Sequence, residues 1–115
     1  MTREGVMLDI TVKGLPLDMR DSDRLESLRR EIVEIVLAAD LVGVHDERDV
    51  ACYFYPDLQS NVQKPIKFEF SGFDGGREKM SGAKLCLRIR EVLPKYMGIE
   101  DARVVFSMNG NEVRL

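Results

Sequence analysis

The sequence predicts an α+β fold: a two-layer sandwich in which a duplicated β-α-β unit (β-α-β-β-α-β) builds a four-stranded mixed sheet, with both helices on one face and a short carboxy-terminal hairpin strand. Three observations predict it. Three segments alternate apolar and polar residues with the period of two that half-buried strands require, and a fourth is rich in aromatic and β-favouring residues. Two intervening segments repeat apolar residues at spacings of three and four, the mark of amphipathic helices. The two halves of the chain also superimpose in sequence. At 115 residues the chain is the size of one domain, too short for two independent cores. The single domain over 1–115 then divides into repeats at about 6–56 and 64–110, with the hairpin over 104–115.

Residues 7 to 13 place Leu8, Ile10 and Val12 on one face and Asp9, Thr11 and Lys13 on the other, a strand ended by Gly14-Leu15-Pro16. Asp23 followed three residues later by Glu26 has the spacing of a capping box. Leu25, Leu28, Ile32, Ile35, Val36 and Ala39 then form an apolar stripe running to about Asp40, with Gly43 as the expected stop. A polar turn at His45-Asp46-Glu47 leads into Val50 to Tyr55, rich in β-favouring and aromatic residues. Pro56 to Lys64 is a polar connector, and Ile66, Phe68 and Phe70 alternate with Lys67, Glu69 and Ser71 as the third strand. A second helix is expected from about Arg77, with Leu85, Cys86, Ile89, Val92, Leu93 and Tyr96 as its buried stripe. Gly82 weakens that helix and Pro94 should kink or end it. Val104, Phe106 and Met108 alternate with Val105, Ser107 and Asn109 as the fourth strand. Asn109-Gly110 has type I′ chemistry that folds Asn111 to Leu115 back as a fifth.

The repeat aligns Ile10-Thr11-Val12-Lys13-Gly14-Leu15 with Phe68-Glu69-Phe70-Ser71-Gly72-Phe73, 58 positions on, and Gly43-Val44-His45-Asp46 with Gly98-Ile99-Glu100-Asp101, 55 positions on. The two copies thus differ by a three-residue insertion or deletion. Each copy needs a crossover helix to return its second strand parallel to the first, and right-handed crossovers put both helices on one side of the sheet. The other face would carry Asp9, Thr11, Lys13, Ala51, Tyr53, Tyr55, Lys67, Glu69, Ser71, Val105 and Ser107. Its tyrosines favour an interface over a fully wetted surface.

Composition narrows the function classes. The formal charge is −3, and the basic residues are interleaved with acids along both helices, so no stripe for tracking phosphates emerges and nucleic acid is not an expected partner. Cys52 and Cys86 stand apart from each other and from the one histidine, which leaves no clustered metal set. They read as reduced, buried fillers, and neither a metal nor a cofactor is expected. No segment reads as membrane-spanning and the amino terminus lacks the apolar block of a signal peptide, so the expected location is the cytoplasm, away from any membrane.

Two tandem β-α-β units, polar connectors and a carboxy-terminal hairpin make residues 7 to 115 resemble the tautomerase superfamily, which includes macrophage migration inhibitory factor and the 4-oxalocrotonate tautomerases. The run Glu69-Phe70-Ser71-Gly72-Phe73-Asp74-Gly75-Gly76-Arg77-Glu78 resembles, as E-x-x-x-F-D-x-G-x-E, the strand-to-helix junction of an uncharacterised bacterial group. The segment from Met7 to Leu15 resembles that group's first strand as well. The resemblance implies a homotrimer whose sheets surround a channel, and an activity resting on an amino-terminal proline. Such a secondary amine in a partly desolvated pocket acts as a base near neutral pH. Here that position falls on Val6, Met7 or Leu8, and the arginine some members carry after the first-strand glycine is replaced by Leu15. Proline-dependent tautomerase activity is therefore not expected.

Among the remaining features, Gly72 to Arg77 reads as turn residues opening a helix capped by Asp74, and His45 with Asp46 as a solvated turn. Arg29-Arg30 and Arg88 with Arg90 read as solubilising charges. Lys13, Tyr53, Lys67 and Glu69 share the open sheet face and are the candidate ligand-binding residues, suited in a trimer to a small acidic molecule. The expected protein is an uncharacterised tautomerase-fold homotrimer, catalytically silent or acting on an unknown small carbonyl or carboxylate compound. The alternatives are a ferredoxin-like small-molecule-binding or protein-interaction module, which has the same element order but inserts a strand between the first two, and an enzyme using Lys67 or Glu69.

Overall fold

A computed structural model describes residues 8–15, 22–41, 43–56, 65–72, 81–97 and 104–114. The elements follow in the order β1 (Leu8–Leu15), α1 (Ser22–Ala38), a 3₁₀ turn (Glu47–Asp49), β2 (Val50–Pro56), β3 (Ile66–Ser71), α2 (Gly82–Met97), β4 (Val104–Met108) and β5 (Asn111–Val113). The strands form one sheet in the order β2-β1-β3-β4-β5. β1 runs parallel to β2, from Leu8 opposite Val50 to Lys13 opposite Tyr55. β3 is likewise parallel to β4, and the two units meet at an antiparallel seam where Asp9 faces Ser71 and Lys13 faces Lys67. β1 and β2 are direct neighbours, so the ferredoxin-like alternative, with a strand between them, does not describe this sheet.

Period-two alternation explains the core. Leu8, Ile10 and Val12 of β1, Ile66, Phe68 and Phe70 of β3, and Phe106 and Met108 of β4 are all buried. They pack against Leu28, Ile32 and Val36 of α1 and Leu85, Cys86, Ile89 and Leu93 of α2 in one cluster, which places both helices on the same side. Phe68 and Phe106 stack with ring centroids 5.2 Å apart, joining neighbouring strands at the centre. The helices are also tied directly: the Tyr96 hydroxyl donates to Glu31, and Lys95 Nζ lies 3.4 Å from the same carboxylate. By accepting that hydroxyl's hydrogen bond, Glu31 holds the Tyr96 phenol above its ordinary pKa.

Several boundaries differ from the sequence expectation, each for a local reason. β1 does not stop at Gly14. A bulge between Lys13 and Leu15, with Gly14 at φ +80°, shifts the alternation by one residue and returns Leu15 to the core. Its repeat partner Gly72 also has positive φ, +97°. α1 begins at Ser22, so Asp23 lies in its first turn rather than capping it, and Glu26 pairs with Arg29 and Arg30. At the other end Asp40, at φ +53°, takes the left-handed position before Gly43 is reached. Asp46 and Asp49 form the capping box instead, around the 3₁₀ turn.

Residues 73–80 lie outside the described residues, and with them the expected Arg77 start and the Asp74 cap; the described helix opens at Gly82. There the Ser81 hydroxyl accepts from the Lys84 amide at 3.2 Å. Pro94 neither ends nor interrupts α2, which continues to Met97. Pro94 and Arg90 are both exposed, so the missing Pro94 N–H falls on the solvent side of the helix. Asn109 at φ +51° and Gly110 at φ +85° make the expected two-residue turn into β5. Gly98, the expected partner of Gly43, and the connector over 57–64 are outside the described residues. Among those described, no helix is long and apolar enough to cross a membrane.

Candidate functional site

The side chains that alternate away from the core point to the face the helices leave open. Cross-strand register puts Lys13 directly opposite Lys67 at the seam and Thr11 opposite Glu69. Two facing ammonium groups would repel. Glu69 relieves this by taking one lysine on each oxygen: Lys13 Nζ at 3.2 Å from Oε2 and Lys67 Nζ at 3.3 Å from Oε1. Lys13 first, and then Lys67, hold the Glu69 carboxyl below its ordinary pKa. Three of the four residues expected from sequence, Lys13, Lys67 and Glu69, are thus brought into one ion cluster. The fourth, Tyr53, is half-buried on β2 beside Thr11, in the same cross-strand row as Glu69 but two strands away, roughly 10 Å by the usual strand spacing.

Next to this cluster lies a cleft of about 360 Å³, lined by Asp9, Thr11, Lys67, Glu69, Ser71 and Ser107, among others. Its rim is held by the β4–β5 turn. The Asn109 backbone N–H donates to the Phe70 carbonyl at 2.8 Å, while its side-chain Oδ1 accepts from the Gly72 N–H at 3.0 Å. Asp9 is the feature that periodicity does not reveal. It reads as one more polar residue on the open face, yet its Oδ1 is buried without a hydrogen-bond partner among the described residues. The available signal was its neighbours in register, Ala51 and Ser71, both too short to bury a carboxylate by themselves.

A second cavity, about 540 Å³, lies between α1 and β2 against Glu26, Arg29, Arg30, Val33, Glu47 and Cys52, among others. It is larger but chemically quieter. Arg29 Nε donates to Glu26 at 3.0 Å, and that pairing holds Glu26 low and Arg29 high. Burial pushes the Cys52 thiol up to about 12, and the Cys86 thiol likewise to about 12, so neither is a thiolate at neutral pH. At the 3₁₀ turn, Asp46 accepts from the Arg48 amide at 2.8 Å and from its guanidinium at 3.1 Å, which holds that carboxyl low. The His45 backbone N–H donates to Asp49 at 2.8 Å. These bonds commit Asp46 and Asp49 to the turn rather than to proton transfer. Among the described residues, no group of three or more histidine, cysteine or acidic side chains is placed to hold a metal ion.

The open face therefore defines this chain as a duplicated β-α-β sandwich whose uncovered sheet carries both an ion cluster and a polar cleft. No family model matches the sequence, and no curated protein matches it. Solved structures do share the fold. The crystal structure of native Ps01740 is similar with a TM-score of 0.59 at 14% identity, covering 87% of this chain and 90% of that one. A protein of unknown function from Vibrio cholerae O1 biovar eltor str. N16961 is similar with a TM-score of 0.60 at 11% identity, covering 95% and 89%. At such identities the likeness is one of fold.

Proposed function

We propose that this chain is a tautomerase-like cytoplasmic protein without the proline base, which assembles as a homotrimer and binds a small carbonyl or carboxylate compound without proline-dependent chemistry. The observation that carries the reading is the strand order: two parallel β-α-β pairs joined by an antiparallel seam, with one sheet face left bare. A two-layer domain with such a face gains from covering it. Tyr55, 54% exposed on β2, is the sort of amphipathic side chain that interfaces use.

The chemistry of the face favours binding over catalysis. No proline stands among residues 1–15, so none of these residues can supply a prolyl amine at the start of β1. Glu69, held low by two lysines, is a weak base at neutral pH and a poor proton acceptor. Each lysine ammonium has three donors and gives one to Glu69, which leaves others to meet a carboxylate or carbonyl oxygen. Tyr53 stands beside this group on the neighbouring strand.

Size-exclusion chromatography with light scattering tests the assembly: the expected mass is three times the 13.1 kDa of one chain, and a clean monomer overturns the trimer. Melting shifts across a set of small keto acids test the site. Lys67→Ala and Glu69→Gln should lose the wild-type response; if both keep it, the ligand does not sit on this cluster.

A further inference from the structure

We infer that the cleft beside Asp9 is a binding site for a small compound bearing a primary ammonium group. The inference does not depend on the trimer or on a carbonyl ligand, and it assigns the cleft a chemistry opposite to that of the neighbouring lysines.

Asp9 is half-buried and lines the cleft, yet one of its carboxylate oxygens has lost water and gained no hydrogen bond among the described residues. Leaving a buried acceptor unpaired costs about 1–3 kcal/mol, and more when it is charged. Such groups in folded proteins are satisfied from somewhere. On one side of Asp9 stands Ala51, which has nothing to donate, and below it lies the hydrophobic core. Among the described residues, the groups left to compensate it are those that line the cleft, Ser71 opposite it included.

Charge selects the kind of compound. Among the described residues, three ionisable ones line the cleft: Asp9, Glu69 and Lys67. Of these, Lys67 and Glu69 pair with each other, which leaves Asp9 Oδ1 as the lining acceptor without a partner among the described residues. A cation with several donors fits best. An ammonium has three N–H groups; one meets Asp9, and the Thr11, Ser71 and Ser107 hydroxyls around the same cleft offer acceptors for the others. An anion in the cleft would instead face the Asp9 carboxylate. The volume, about 360 Å³, lies at the small end of ligand pockets and suits a compound of a few heavy atoms.

Thermal shift and calorimetry with propylamine, against 1-propanol and propionate as matched neutral and anionic probes, test the site. Propylamine should raise the melting temperature of the wild-type protein saturably, while the other two leave it unmoved. Asp9→Asn should weaken propylamine binding by at least about tenfold, the scale of one charged hydrogen bond. No response to propylamine, an equal response to propionate, or an unchanged affinity in Asp9→Asn overturns the inference. Should that variant fail to fold, amide chemical-shift mapping on the wild type decides: saturable changes centred on Asp9, Thr11, Ser71 and Ser107 support the site, and changes centred elsewhere overturn it. A trimer that ignores propylamine sinks only this inference, and a monomer that binds it sinks only the assembly proposed above.

Discussion

The two faces of the sheet are built from the same strands, residue by residue in alternation, and they follow different rules. On the covered face Ile10, Val12 and Phe68 have no exposure at all, and their neighbours are apolar groups from both helices. On the open face Lys13 and Lys67, one residue away along the same strands, leave about half of each side chain exposed and pair, among the described residues, with Glu69. Burial energy therefore specifies the first face tightly, at roughly 25 cal/mol per Å² of apolar area removed from water. The second face gains little from its exposed ion pairs and is free to carry recognition.

That contrast can be broken at three places. Phe68→Ala removes a ring stacked on Phe106 at the centre of the covered face and should cost about 3–5 kcal/mol in urea unfolding; a loss under about 1 kcal/mol would mean the core is far looser than its burial implies. Gly14→Ala tests the point where β1 changes its alternation. A Cβ there lies 2.8 Å from the Pro65 carbonyl oxygen, a backbone atom that cannot swing aside, and φ is +80°. About 2 kcal/mol should be lost, and Leu15 should become less protected.

The smallest effect belongs to the open face. Glu69→Gln should change stability by no more than about 1 kcal/mol at neutral pH. Glu69's folded pKa is depressed, so its contribution is present above the ordinary carboxylate range and disappears as pH falls through the lower, folded value. Wild type and variant should then converge in acid. If the variant instead costs as much as Phe68→Ala, the open face is buried in the working assembly and the contrast between faces needs redrawing.

Much of the architecture was legible in the sequence because burial imposes a period. The stripes from Leu28 to Val36 and from Leu85 to Leu93, and the strand alternations around Ile10, Phe68 and Phe106, all mark the side that reaches the core. The Asn109-Gly110 turn was legible because two consecutive positive φ values suit few other pairs. Features that break the period were less visible. The bulge at Gly14 hides Leu15 from an alternation rule, and Asp40 takes a left-handed position that a glycine search assigns to Gly43. Of the candidate site, register alone was enough to foresee that Lys13, Lys67 and Glu69 share a face. The state of Asp9 was harder to read, because an unmet carboxylate oxygen depends on what its register neighbours Ala51 and Ser71 lack, and that register is known only once the sheet is assembled.

The antiparallel seam between β1 and β3 also bears on how the molecule comes together. The first half contributes one parallel strand pair and a helix, and the second a parallel pair widened by β5 and a helix. The pairing that completes the sheet joins residues more than fifty positions apart, Lys13 with Lys67 and Asp9 with Ser71. A long loop must close before either half is rewarded. The duplicated units are thus repeats in sequence that share one sheet, and the strand pairing that joins them is among the contacts that ask most of loop closure.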